Sequence, residues 1–265
     1  MHALDAQLFL LVQDHLHSVA LGLARILACM AWLPYLGSGA MPAKTLRTLV
    51  AGVVFAGLFP QIMTGEHSGQ SPEGLALLIA LASEAVVGTV LGLVMAAPYH
   101  VFHAVGAMID SQRGGSVGAM LDPLTGVEAT EASNLLQMAA ACVFLLGGGM
   151  LAVVETLQGS YALVPFGQAF TINPEAAADY VRQLLGNLLR IAGPVLILLF
   201  LVEVLLGILS RFAQQLNAFS LALSVKSIVA FAAMLVYIFS ILAQDVPRIW
   251  HNTPMEQWLL PGGAP

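Results

Sequence analysis

Long apolar runs, each broken by a few polar residues, dominate the chain and predict an all-α integral membrane protein. The first run opens at 8–12, is interrupted by Asp14, His15 and His17, and resumes over 19–36 with Arg25 inside it. Trp32 and Tyr35 suit an interfacial belt, and Pro34 with Gly37-Ser38-Gly39 ends the run. The second, 46–63, is closed by Pro60 and the polar loop 64–72. The third, 75–105, exceeds a single straight crossing, which takes about 20 residues. Pro98 predicts a kink or a split there, leaving 99–109 as a separate helix. The fourth, 135–163, carries Gly147-Gly148-Gly149 at its middle, a weak point or break, since each helical glycine costs about 1 kcal/mol against alanine. A loop over 165–179 holds a helix start after Pro174, with Asn173 as its N-cap. The fifth run, 188–209, contains Gly193-Pro194 and Glu203, and the sixth, 216–242, contains Lys226. The tail 243–265, with Trp250 and Trp258, reads as an interfacial or flexible end. No heptads, low-complexity tracts or internal repeats divide the chain, so residues 1–265 are expected to form one membrane-embedded domain.

Composition agrees with the pattern. The 265 residues are 58% hydrophobic and only 9% charged. Soluble domains carry roughly 25% charged residues, so this chain cannot cover a water-facing surface in the ordinary way. A net charge of −6 argues against a nucleic-acid partner and supplies no polybasic patch for anionic lipid. Cys29 and Cys142 both lie in apolar runs and read as small hydrophobes, not as a disulfide or a metal site. No Lys or Arg precedes the first apolar stretch, so a cleavable signal peptide is not expected. Lys44 and Arg47 would put the first loop in the cytoplasm, but Arg113, Arg182, Arg190, Arg211 and Arg248 fall on alternating sides of any six-span scheme. That failure implies helices that do not all span conventionally.

Five charges sit within the apolar runs: Arg25, Glu84, Glu155, Glu203 and Lys226. A central Arg, Lys or Asp costs roughly 2.5–3.5 kcal/mol on the translocon scale. Three arrangements would relieve that cost. The charges are structural pairs or snorkel near helix ends, they form an ion pathway, or they dock on partner chains. The acids are scattered one per helix, which is unlike the midplane clusters of transporters.

The most distinctive stretch is 106–126. It packs Asp110, Asp122, Arg113, Gln112 and five glycines into one interruption between apolar runs. Glycine permits close approach and positive φ, so such a loop is not a generic tether. Gly114-Gly115-Ser116-Val117-Gly118 matches the pattern of a nucleophile elbow, but no strand signal precedes it. The only histidine after Ser116 is His251, in the tail, so an intramembrane serine protease lacks its base. His100 and His103 stand three apart but find no third ligand at helical spacing. Met108 and Met120 flank the glycines, and methionine is the adaptable residue of promiscuous surfaces. No phosphate loop or nucleotide fingerprint is present, so any energy source lies elsewhere.

Two longer blocks carry a resemblance. Asp110-Ser111-Gln112-Arg113-Gly114, then Leu121-Asp122-Pro123 and the acidic run to Asn134-Leu135-Leu136, form the first. The second begins at Glu203, continues through Arg211 and Asn217-Ala218-Phe219-Ser220, and ends at Val225-Lys226-Ser227. Together the chain resembles the T component of the bacterial type III secretion export apparatus, the SctT proteins, homologous to flagellar FliR. Asn217-Ala218-Phe219 and Lys226-Ser227 are closer to the injectisome branch. Gln214-Gln215 stands where many relatives carry Pro-Gln, so the break after Ala213 must come from packing.

The resemblance implies a non-enzymatic, multi-pass subunit of the bacterial inner membrane, without cofactor or metal. It implies hydrophobic hairpins and broken helices that join SctR and SctS (the FliP-like and FliQ-like subunits) in a helical pore-forming assembly. Contacts with SctU, SctV and membrane lipid are implied too, with unfolded secreted polypeptides in transit. It assigns a pore plug to the segment holding Gly106, Met108, Asp110, Gln112, Arg113, Gly114, Gly115, Ser116, Gly118, Met120, Asp122 and Pro123. Asp110, Gln112 and Arg113 are expected to anchor its base through charge-assisted hydrogen bonds. Arg25, Glu84, Glu155, Glu203, Arg211, Asn217 and Lys226 are expected at subunit interfaces or as buried charges. The rival is a secondary transporter acting alone.

Overall fold

The computed structural model describes residues 2–34, 43–64, 74–114, 131–165, 170–212, 218–251 and 259–261. Helices α1 (His2–Trp32), α2 (Ala43–Thr64), α3 (Leu75–Gln112), α4 (Glu131–Leu146) and α5 (Gly149–Leu163) come first. Strand β1 (Phe170–Ile172), helix α6 (Pro174–Phe212) and helix α7 (Ala218–Ala233) follow. A π-helical turn, Met234–Ile238, then joins α7 to α8 (Phe239–His251), and β2 (Leu259–Pro261) closes the order. Three stretches are long and apolar enough to cross a membrane: Leu75–Gln112, Pro174–Phe212 and Leu221–Ile249. The bent pair α4 and α5 counts as a fourth when taken as one span. The chain is an all-α membrane protein whose described strands are two three-residue pieces, paired antiparallel with Thr171 opposite Leu260.

Several boundaries differ from the sequence expectation. Pro60 lies inside α2 rather than closing it. Pro98 does not split the third run, because α3 continues through it to Gln112. A proline removes one backbone donor and crowds the carbonyl four residues earlier, but the remaining helical bonds persist where neighbours pack against the element. Ala96, Ala97 and Val101 around Pro98 are all buried. The fifth run likewise merges with the preceding helix start, giving one helix from Pro174 to Phe212. Asn173 does cap it, its Oδ1 accepting the Glu175 N–H at 3.0 Å and the Ala176 N–H at 3.4 Å. The triple glycine breaks the fourth run as expected, with Gly148 in the left-handed region at φ 80°. At the C-terminal end, α8 reaches His251 and Leu259–Pro261 pairs as a strand, where the sequence read only a tail.

The chain divides into two compact units. Unit one contains 1–96, 148–178 and 253–265; unit two contains 97–147 and 179–252. In unit one, α1 meets α3 at Gly88 and Gly92, two glycines four apart. A Cβ on Gly88 would lie 2.2 Å from the Arg25 carbonyl oxygen, and one on Gly92 would lie 2.5 Å from that of Cys29. This is the close approach that small residues permit between membrane helices. Gly92→Val is therefore expected to force α1 and α3 apart, at about 1–3 kcal/mol for overpacking, and to raise protease sensitivity in membranes. Gly57→Ala, with nothing within 4 Å of its added carbon, should behave as wild type in the same assay.

In unit two, helices bury narrow stripes. On α4 every fourth residue, Ala132, Leu136, Ala140 and Phe144, is inside. On α6 the same spacing gives Ile191, Val195 and Leu199. The remaining faces stay apolar yet exposed, as at Met138, Leu146, Phe200 and Leu205. Lipid or other protein must cover such faces.

Candidate functional site

The glycine-rich segment opens at the end of α3, in unit two. Its first part, Gly106 to Gln112, is helical rather than loop, and the described residues of this stretch end at Gly114. Gly114 makes the turn at φ 93°, its N–H bonded to the Ser111 carbonyl at 3.2 Å. Gly115, Ser116, Gly118, Met120, Asp122 and Pro123 lie outside the described residues, as does Asn217.

Asp110 and Arg113 lie one helical turn apart and are both buried. The Arg113 Nε donates to Asp110 Oδ1 at 2.8 Å, and its Nη2 donates to Glu131, the first residue of α4. The carboxylate of Asp110 also accepts the N–H groups of Ala132 at 3.2 Å and Ser133 at 2.9 Å. These are orphan donors of the first turn of α4, and their end of the helix favours negative charge. Asp110 thus caps a helix from another part of the chain. Burial opposes the charge on Arg113, but hydrogen bonds and the negative charges of Asp110 and Glu131 outweigh it and raise its pKa. Phe231 of α7 lies under the guanidinium, 5.2 Å from ring centroid to Cζ.

Gly106 and Ser133 complete the contact. A Cβ on Gly106 would stand 2.3 Å from the Ser133 Cα, and the Ser133 hydroxyl donates to the His103 carbonyl at 3.1 Å. Sequence reasoning singled out Gly106, Asp110 and Arg113 but not Glu131, Ser133 or Phe231. No local signal links residues on opposite sides of a long loop.

A second set of charges meets the same helix end. Lys226 of α7 pairs with Glu203 of α6 at 2.9 Å and approaches the Gln112 carbonyl at 3.5 Å. The Gln112 side-chain amide donates to Glu203 at 3.4 Å. A cation is favoured at a helix C-terminus, where carbonyls lack internal partners. Two intramembrane charges of the sequence reading therefore meet each other beside the end of α3.

Arg25 and Glu84 form a separate pair in unit one, at 2.7 Å, with Arg25 0% and Glu84 2% exposed. Glu155 on α5 and Arg211 in the last turn of α6 are exposed. Missed altogether was the link between Arg190 of α6 and the buried Asp245 of α8, at 2.7 Å. His100 and His103 are exposed on α3, and no group of three or more metal-ligating side chains occurs among the described residues.

Long apolar helices with buried ion pairs between them define a membrane-embedded helical protein. Residues 16–252 match the family described as bacterial export proteins, family 1, and the chain belongs to that family. It is 35% identical over 250 residues to the surface presentation of antigens protein SpaR of Salmonella typhimurium, covering 93% of each chain. Over 237 residues it is 27% identical to the Yop proteins translocation protein T of Yersinia pestis, covering 88% of this chain and 90% of that one. It is 29% identical over 175 residues to the flagellar biosynthetic protein FliR of Bacillus subtilis, covering 64% and 67%. The chain is thus a membrane component of bacterial protein export, of the type III secretion kind.

Proposed function

We propose that this chain is a structural, non-enzymatic subunit of the inner-membrane export gate, and that residues 106–123 form the plug of its closed pore. The observation that carries the reading is the fastening of α3 at Asp110–Arg113, just where the glycine-rich loop departs. A seal for unfolded polypeptides of any sequence needs a base that holds and a tip that yields. Asp110, Gln112 and Arg113 supply the base. Gly114, Gly115, Ser116 and Gly118 supply a tip without bulky side chains, and Met108 and Met120 can repack around it. Asp122 and Pro123 belong to the same proposed segment. Such an element has two arrangements and is biased by what enters the pore.

The partners implied are SctR and SctS in the helical pore, with SctU and SctV beside it, and unfolded secreted polypeptides passing through. The apolar exposed faces of α6, at Phe200, Leu201 and Leu205, suit lipid or these neighbours. Arg25, Glu84, Glu155, Glu203, Arg211, Asn217 and Lys226 remain the candidates for interface or buried-charge roles. Co-expression with SctR and SctS should give a complex that survives purification, whereas a lone monomer moving solute in liposomes would replace this reading with a transporter. Within the complex, a photo-crosslinker at position 116 should form an adduct with a stalled substrate. A stalled channel without adduct would remove Ser116 from the path.

A further inference from the structure

Arg190 on α6 and Asp245 on α8 pair at 2.7 Å, which brings one end of the stretch Pro174–Phe212 level with one end of Leu221–Ile249. Arg248, one turn along α8, stands 4.0 Å from the same carboxylate. The Asp245 side chain is only 3% exposed, while those of Arg190 and Arg248 are 50% and 66% exposed. One buried acid therefore serves two outward cations and leaves a local surplus of one positive charge. Asp245 holds Arg190 through Oδ1 alone, and its buried Oδ2 accepts no hydrogen bond among the described residues. A guanidinium has five N–H donors, so a single bond leaves most of that capacity for another acceptor.

Farther along α6, Ile197, Leu201 and Ile208 follow Arg190 at spacings of seven, four and seven residues, on one helical face. All three are exposed, and Glu203 lies off this face. The stripe rises about 27 Å at 1.5 Å per residue, close to the ~30 Å of a hydrocarbon core. Only 22% of the apolar window of this stretch is buried. A cationic head above an uncharged apolar stripe is the complement of an anionic amphiphile. We propose that this face binds an anionic phospholipid of the membrane, with Arg190 and Arg248 on its phosphate and Ile197, Leu201 and Ile208 along an acyl chain. The planar guanidinium fork matches phosphate oxygens, and basic sites between spanning helices take acidic head groups. A zwitterionic lipid carries its own ammonium and gains less from the surplus charge. The sequence has no polybasic patch, and the fold gathers the pair from two helices. This site is independent of the plug.

The test measures association of spin-labelled phosphatidylglycerol and phosphatidylcholine with the full-length chain in phosphatidylcholine bilayers, alone and in complex with SctR and SctS. Wild type should prefer phosphatidylglycerol about fivefold, the worth of one basic residue at an anionic surface. Arg248→Gln leaves Arg190 matched by Asp245 and should abolish the preference, while Arg248→Lys should keep most of it. Arg182→Gln removes a cation that Asp179 already pairs and should leave it unchanged. Inorganic phosphate at matched ionic strength should not displace the lipid. Equal association of the two lipids with wild type overturns the proposal, as does an unchanged preference in Arg248→Gln. Equal loss in Arg182→Gln reduces the effect to net charge and overturns it too. Displacement by phosphate overturns it in favour of a plain anion site, and a preference lost in the complex overturns it in favour of a subunit on this face. If Arg248→Gln does not accumulate, wild type is crosslinked with a phosphatidylglycerol carrying a photoreactive head group. Adducts on the α8 peptide holding Arg248 are expected, and adducts only elsewhere overturn the site.

Discussion

Replacing Arg25 with alanine is expected to abolish accumulation of the protein in membranes. Its guanidinium donates to Glu84 at 2.7 Å, to the Ser160 hydroxyl at 3.1 Å and to the Val164 carbonyl at 2.9 Å. It also lies 4.4 Å from the centroid of Tyr161, whose hydroxyl donates to the Gly22 carbonyl at 3.1 Å. One side chain thus ties α1, α3 and the end of α5 within unit one. Removing one member of a buried ion pair costs about 3–5 kcal/mol, because the other charge stays behind. Total stabilities of roughly 5–15 kcal/mol leave little margin for that loss. Arg25→Lys should recover only part, since an ammonium lacks the fork that reaches three acceptors. The double change Arg25→Met with Glu84→Met should accumulate better than either single change, since neither charge is then stranded. Immunoblots of membrane fractions read all five variants. Wild-type levels of Arg25→Ala would show that the pair is dispensable.

Asp110→Ala carries the second large effect. It removes the carboxylate that neutralises Arg113 and caps α4, at a position 4% exposed. Loss of the pair costs about 3–5 kcal/mol and loss of a cap about 0.5–2 kcal/mol. The two overlap on one side chain and do not add. The expected outcome is a complex recovered in lower yield with a leaking pore. Asp110→Asn keeps an oxygen for the N–H groups and gives up the charge, so it should fall between wild type and alanine in both readouts. Equal leak in wild type and Asp110→Ala would detach the buried cluster from sealing.

These residues also show how far the sequence could be read. The all-α membrane class followed from run length and charge scarcity, which are properties of composition and need no tertiary information. Asn173 and Gly148 announced a helix start and a break because capping and positive φ are decided within a few residues. Prolines misled, because Pro60 and Pro98 act on one backbone bond each while packing along α2 and α3 decides whether the helix continues. Among the charges, the Asp110–Arg113 contact was legible, being one helical turn long. Arg25 with Glu84, Arg190 with Asp245 and Arg113 with Glu131 were not, since each joins helices that only the fold brings together. Counting charges per run hid the fact that most have a partner on another run. Gly88 and Gly92 were in plain view, but their meaning depends on which helix lies across them.

The proposed plug, residues 106–123, would seal a pore that this chain builds with its neighbours. The most direct measurement is the resting ion conductance of the complex with SctR and SctS in planar bilayers, with and without residues 114–118. The expected result is a silent intact complex and a continuously conducting deletion recovered in equal yield. A deletion as silent as the intact complex would contradict the claim.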